Sequence, residues 1–182
     1  SDARFIDVDN DLDFDIVSTN TGSNQVFYHE NLGGSFAPRT SLINISSPEN
    51  ISIVDIDLDN DLDVIYASTG GGNRLHVRIN DNGLLLNEYI IGSMMFQTDK
   101  IQIIDIDNDN DMDIVTTRPS VSEYFPHIAW HENTGMGNYS IPKSIDSVYN
   151  LKTSIFADLD GDGLPDLLKS YFNFTPSTYY RL

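Results

Sequence analysis

The sequence predicts an all-β fold built from repeated four-stranded antiparallel units, each the size of a propeller blade. Three observations carry this expectation: a self-similar segment that recurs four times at a spacing of about 50 residues, short apolar runs that end in Asn/Gly turns, and the lack of any window with a helical period. A repeat of about 50 residues accommodates four short antiparallel strands, which is one blade.

The first copy of the recurring segment is Phe5-Ile6-Asp7-Val8-Asp9-Asn10-Asp11-Leu12-Asp13-Phe14-Asp15-Ile16-Val17, and it aligns without a gap on Ile53 to Ile65. The third runs from Ile103 through Asp105, Asp107, Asp109, Asp111 and Asp113 to Val115. The fourth is Phe156-Ala157-Asp158-Leu159-Asp160-Gly161-Asp162-Gly163-Leu164-Pro165-Asp166-Leu167-Leu168. The first Asp of each copy follows its predecessor by 48, 50 and 53 residues. A second landmark lies about 20 residues further on: Val26 to Phe36 in the first repeat, Ile128 to Tyr139 in the third, and a looser Leu75 to Gly83 in the second. These read as strands entering Asn/Gly turns.

Each repeat therefore has one strand entering the Asp loop, one leaving it, the landmark strand, and one after the turn. The whole chain, 1–182, reads as one domain or segment, with units at about 3–50, 51–100, 101–152 and 153–182. The fourth carries a strand candidate at Tyr179-Tyr180 and stops before the turn and outer strand of the other copies. Its N-terminus lacks an initiator Met and an apolar leader, so the chain reads as a processed form or a piece of something longer.

Composition narrows the chemistry. The chain has 28 acidic residues against ten Lys and Arg, a net charge of −18. Five, five, five and four of the acids, 19 of the 28, lie in the four Asp loops, so the remainder is nearly neutral. Such a chain repels phosphate backbones and anionic lipid, so neither nucleic acid nor direct membrane insertion is expected. There is no Cys, which excludes disulfides, thiolate metal sites and Cys nucleophiles. No Gly-rich phosphate loop, nucleophile elbow or metalloprotease motif occurs.

Carboxylates crowded into nine residues repel one another unless a cation joins them. Acids at loop positions 1, 3, 5 and 9 with a main-chain carbonyl at 7 make an all-oxygen cage, which suits Ca²⁺ better than Mg²⁺ or Zn²⁺.

The fourth loop, Asp158 to Asp166, fits D-x-D-x-D-G-x-x-D, and here the chain resembles the FG-GAP and VCBS-like repeat proteins, which include the β-propeller of integrin α subunits. The segment Gly34-Ser35-Phe36-Ala37-Pro38 is the nearest approach to the FG-GAP signature itself, so VCBS-like repeats are the closer likeness. The resemblance implies one calcium per loop, up to four. Its ligands are Asp7, Asp9, Asp11 and Asp15; Asp55, Asp57, Asp59 and Asp63; Asp105, Asp107, Asp109 and Asp113; and Asp158, Asp160, Asp162 and Asp166. Asp13, Asp61, Asp111 and Leu164 supply main-chain oxygens. Position 6 requires a residue that tolerates positive φ: Gly163 is ideal and Asn60 and Asn110 are acceptable, but Leu12 is not, which makes loop one the weakest site. Family propellers have seven or eight blades, so this chain is expected to be part of a larger ring, a small ring, or a half that pairs with another chain.

The function expected is a calcium-stabilised, non-catalytic module outside the cell, secreted or at its surface, where near-millimolar calcium fills modest sites. It would bind a protein or glycan, or a neighbouring subunit through an open strand edge. A carbohydrate-active enzyme resembling polysaccharide lyases is the alternative. His29-Glu30 and His131-Glu132 occupy equivalent positions and suggest an acid/base pair, yet neighbours on a strand face opposite ways. Tyr124, Phe125, His127, Trp130 and His131 could stack on a sugar or pack the blade. Met94-Met95-Phe96 is read as inter-blade packing, and Asn44, Asn50, Asn138 and Asn173 begin glycosylation sequons.

Overall fold

The computed structural model describes residues 2–9, 11–44, 46–70, 74–81, 84–93, 98–118, 127–135, 138–147 and 151–171. Among them there are 14 strands in four antiparallel sheets and no helix, hence no helix long and apolar enough to cross a membrane. The first sheet is β1 (Ala3–Ile6), β2 (Asp15–Asn20), β3 (Gln25–His29) and β4 (Thr40–Asn44), in that order. The second is β5 (Pro48–Val54), β6 (Asp63–Ser68), β7 (Arg74–Asp81) and β8 (Leu84–Ser93). The third is β9 (Lys100–Ile104), β10 (Asp113–Thr117), β11 (Ile128–His131) and β12 (Lys143–Asp146). The fourth comprises β13 (Leu151–Ala157) and β14 (Asp166–Tyr171).

The expected four-strand unit is thus present three times, with each Asp loop joining the first two strands of its sheet. The sheets begin at residues 3, 48, 100 and 151, up to three residues before the starts expected from sequence. Tyr179-Tyr180, Met94-Met95-Phe96, Tyr124, Phe125 and Asn173 lie outside the described residues.

The chain forms two compact units, Ser1–Gln97 and Thr98–Leu182. Directly opposed residues of an antiparallel pair share a face and successive residues alternate, so the ladders sort each sheet into two faces. On the first sheet Ile6, Val17, Val26 and Ile43 form one face, termed the front, and this face packs on Ile51, Val64 and Tyr66 of the second sheet. Phe5, Ile16, Ser18, Phe27 and His29 lie on the back. Counted by repeat position, the second sheet meets this contact with its back face, because Val64 and Tyr66 correspond to Ile16 and Ser18.

The other unit repeats the arrangement. Val115 and Ile128 on the front of the third sheet pack against Phe156 and Leu167 on the back of the fourth, with Leu151 in the same cluster. Thr117 and Ser154 share a hydroxyl hydrogen bond of 2.6 Å across this junction, and the Lys100 ammonium donates to the Ser154 carbonyl at 2.7 Å. Each fully buried aliphatic side chain contributes about 1.5–3 kcal/mol, so these interfaces supply much of each unit's stability.

Candidate metal centre

The four loops share one hydrogen-bond template. The position-1 carboxylate folds the loop over itself: Asp7, Asp55 and Asp105 each accept the position-5 N–H on Oδ1 at 3.1 Å. Their Oδ2 atoms accept the position-6 N–H of Leu12, Asn60 and Asn110, each at 2.9 Å. Asp158 makes the same Oδ2 bond with Gly163 at 3.0 Å, while its Oδ1 accepts from Gly161 at 2.7 Å. Position 5 then accepts the N–H of position 7: Asp11 from Asp13, Asp59 from Asp61, Asp109 from Asp111 and Asp162 from Leu164, at 2.8–3.0 Å.

Closing these rings drives position 6 into the left-handed region, with φ of 77° at Leu12, 75° at Asn60, 74° at Asn110 and 88° at Gly163. The position-6 requirement read from sequence is what the backbone displays. Position 4 is left-handed as well, at Leu58 (63°), Asn108 (62°) and Gly161 (80°). Loop two therefore carries a strained leucine of its own, and backbone strain does not single out loop one. The signal was present in the sequence, because position 4 is Asn or Gly in three of the four copies.

Three carboxylates converge in every loop. One oxygen each from Asp7, Asp9 and Asp15 lie within 4.8 Å of one another, as do those of Asp55, Asp57 and Asp63, of Asp105, Asp107 and Asp113, and of Asp158, Asp160 and Asp166. Oxygens bound to one hard cation at about 2.4 Å stand no more than about 4.8 Å apart, so the spacing fits such an ion. Positions 1, 3 and 9 are thus brought together, while Asp11, Asp59, Asp109 and Asp162 stand outside these groups, engaged with the position-7 N–H. Position-7 side chains turn elsewhere: a Cβ on Gly33 would meet the Asp13 carboxylate at 3.9 Å, and one on Gly135 the Asp111 carboxylate at 3.7 Å. Oδ1 of Asp13 is buried without a hydrogen-bond partner.

Position 9 is the anchor. Asp15, Asp63 and Asp113 are fully buried. Each accepts the position-2 N–H on Oδ2, from Val8 at 2.9 Å, Ile56 at 2.8 Å and Ile106 at 3.0 Å. Oδ1 takes a second N–H from the landmark strand, from Asn31 at 2.8 Å and from Asn80 and Asn133 at 2.7 Å. The Asn31 and Asn133 amides reach back to the carbonyls of Phe14 and Met112. Tyr28 also donates its hydroxyl to Asp15 at 3.2 Å, and Trp130 holds the matching place in the third repeat. The second landmark is therefore the other half of the loop, a role that reading it as a turn had missed; an Asn recurs 16, 17 and 20 residues after position 9.

Burial and crowding both weigh against the charged form of several loop carboxylates. Burial, then the neighbouring carboxylates, raise Asp9, Asp57 and Asp107 at position 3 above the usual carboxylate range. Burial pushes Asp63 up to about 7 despite its two N–H donors, and raises Asp113 too. No Lys or Arg stands within any of the nine-residue loops. An all-oxygen donor set, the spacing and the crowded charge fit a hard divalent ion.

Elsewhere, His131 and Glu132 engage different partners. His131 is buried and shares a hydrogen bond with the Thr116 hydroxyl, whereas Glu132 accepts from Lys143, whose ammonium also lies 4.3 Å above the Trp130 ring. His127 is buried. One arrangement invisible in the sequence is Ser68-His76-Glu88: Ser68 Oγ lies 3.0 Å from His76 Nε2, and His76 Nδ1 lies 3.2 Å from Glu88. Tyr66 stacks on His76 and donates to the same Glu88 oxygen at 2.7 Å. Ser68 is only 2 % exposed, and Tyr66 belongs to the core shared with the first sheet, so this chain of polar groups braces that junction. Of the sequons, Asn44 and Asn138 are exposed and Asn50 is half-buried.

No curated protein matches this sequence. The FG-GAP-like repeat model matches twice, over residues 7–66 and 55–116, each match running from the first Asp of one loop through the next loop into the strand after it. The matches together span more than half of the 182 residues, and the chain belongs to the FG-GAP-like repeat family.

Proposed function

We propose that the chain is a calcium-stabilised repeat module, working outside the cell and without catalysis, whose loops and strand connections present a binding surface to a protein or glycan. The observation that carries the reading is the recurrence of one three-carboxylate group on one hydrogen-bond template in all four loops.

The carboxylates at positions 1, 3 and 9 would hold each ion, with those at position 5 and the carbonyls of Asp13, Asp61, Asp111 and Leu164 as further oxygens. Bound calcium supplies the positive charge that cancels the repulsion among them. The chain's own residues do the rest. Position 1 shapes the loop, and position 9 fastens it to the landmark strand, so a filled site ties three strands of a sheet together. Because the unfolded chain has no such cage, binding stabilises the fold by linkage. Sites of modest affinity suit the near-millimolar calcium outside cells.

The test is a thermal melt in millimolar CaCl₂ and again in excess chelator, with magnesium in both. A calcium-specific rise in Tm with about four ions bound is expected, one for each loop. Coincident melts would overturn the reading.

A further inference from the structure

The last strands of the three four-stranded sheets are β4, β8 and β12, and among the described residues each has one neighbouring strand. An edge strand offers unpaired N–H and C=O groups to another extended chain, and proteins blunt such edges with short strands, Pro and charged residues, Lys above all. Two of the three edges carry these devices: β4 is five residues long and follows Pro38-Arg39, and β12 is four residues long and opens on Lys143 after Pro142. The edge strand β8 carries none of them. It runs for ten residues, about 34 Å, and from residue 82 to residue 98 the sequence has no Pro, Lys or Arg and one charged residue, Glu88. That charge is engaged by its own sheet: Glu88 Oε1 accepts from the Tyr66 hydroxyl at 2.7 Å and lies 3.2 Å from His76 Nδ1 and 3.6 Å from Arg78 Nε. Tyr89 and Ile90 beside it are 40 % and 48 % exposed.

We propose that β8 pairs antiparallel with β8 of a second copy of this chain about a two-fold axis at Ile90, joining the two second sheets into one of eight strands. Charge selects the occupant. Two chains of net charge −18 repel over much of their surface, and β8 is an edge on which they meet without setting acid against acid. The axis at Ile90 places each Glu88 opposite Gly92 of the other copy and each Tyr89 opposite Ile91, and aromatic pairs with β-branched residues across strands are favourable. The contact is isologous, so it stops at two copies.

Sedimentation velocity of the chain in calcium, from micromolar to sub-millimolar concentration, tests this. A reversible monomer–dimer equilibrium that saturates at two copies is expected. Ile90→Lys and Ile90→Glu each oppose like charges across the axis, and each should raise the dissociation constant at least about tenfold. Ile90 is an exposed side chain, so both variants should melt near the parent. A mixture of the two sets Lys against Glu and should form a dimer that neither forms alone. A second arm keeps the test sound should the charged variants fold poorly. The chain has no Cys, so Ile90→Cys introduces a single thiol, which should oxidise in air to a disulfide-linked dimer, whereas Ile141→Cys, at a site 87 % exposed in the third repeat, should stay monomeric. A chain that is monomeric throughout would overturn the proposal. So would association that continues past two copies, charged variants that associate like the parent, a mixture that remains monomeric, or equal cross-linking at the two thiols.

Discussion

The first and third repeats place matching residues in different surroundings. His29 opposes Ile16 in one ladder and His131 opposes Ile114 in the other. The first pair is half-buried, while His131 is 1 % exposed and Ile114 is fully buried. Their Asp loops nonetheless agree closely. Asp15 and Asp113 are both fully buried, and each collects one N–H from its own loop and one from the landmark Asn. The loop is therefore a local device that assembles alike in either setting. Coverage of the back face is not local, and it differs between repeats that share nearly all of their loop chemistry. The comparison also isolates backbone strain, because the left-handed position 6 is Leu12 in one repeat and Asn110 in the other.

The largest effect should come from removing position 9. Asp15→Ala and Asp113→Ala each leave two backbone N–H groups without an acceptor, and each should cost about 3 kcal/mol in calcium, measured by denaturant unfolding. Asp113→Asn, which keeps one acceptor oxygen, should cost less. Near-equal losses in the two repeats would sharpen the view of an autonomous loop. A large inequality would break it.

Acid should act on the third repeat. Burial holds His131 down to about 4, below the ordinary value near 6.5 of an unfolded chain. The fold thus prefers the neutral ring, and the stability tied to it is intact above about pH 6.5 and lost as pH falls toward 4, on the order of 3 kcal/mol once the loss is complete. The difference in unfolding free energy between the parent and His131→Asn, followed over that window, isolates this loss from titration of the loops. If the His131→Asn series runs parallel to the parent, the buried ring is not what distinguishes the third repeat.

The smallest effect concerns the strained turn. Leu12 is 92 % exposed, so it contributes little packing, and Leu12→Asn should raise stability by about 1 kcal/mol by easing the left-handed backbone. Asn110→Leu should lower it by a similar amount. Calorimetry on the pair would show whether position 6 acts through the backbone alone.

Much of this was legible in the amino-acid order. The alternation of Asp with Val, Ile or Leu marked the loops and the strands beside them, and the Asn or Gly at position 6 announced its positive φ. Convergence of positions 1, 3 and 9, with position 5 turned to the loop's own N–H groups, was not legible, because spacing alone does not say which carboxylates face inward. Nor was the tie between position 9 and an Asn up to 20 residues away, which exists only once β2 and β3, or their counterparts, are paired. The Ser68-His76-Glu88 chain spans three strands and is hidden for the same reason.

The order of residues was enough to settle the period, the four loops and the strands that flank them, since turn geometry and strand alternation arise from interactions within about ten residues. Which face of each sheet is buried was decided only in three dimensions. Phe5 and Phe156 have the same chemistry and the same local backbone, and what separates 74 % exposure from 5 % is whether another sheet lies against them. Burial is a property of what packs against a surface, and no short stretch of sequence contains its own neighbour.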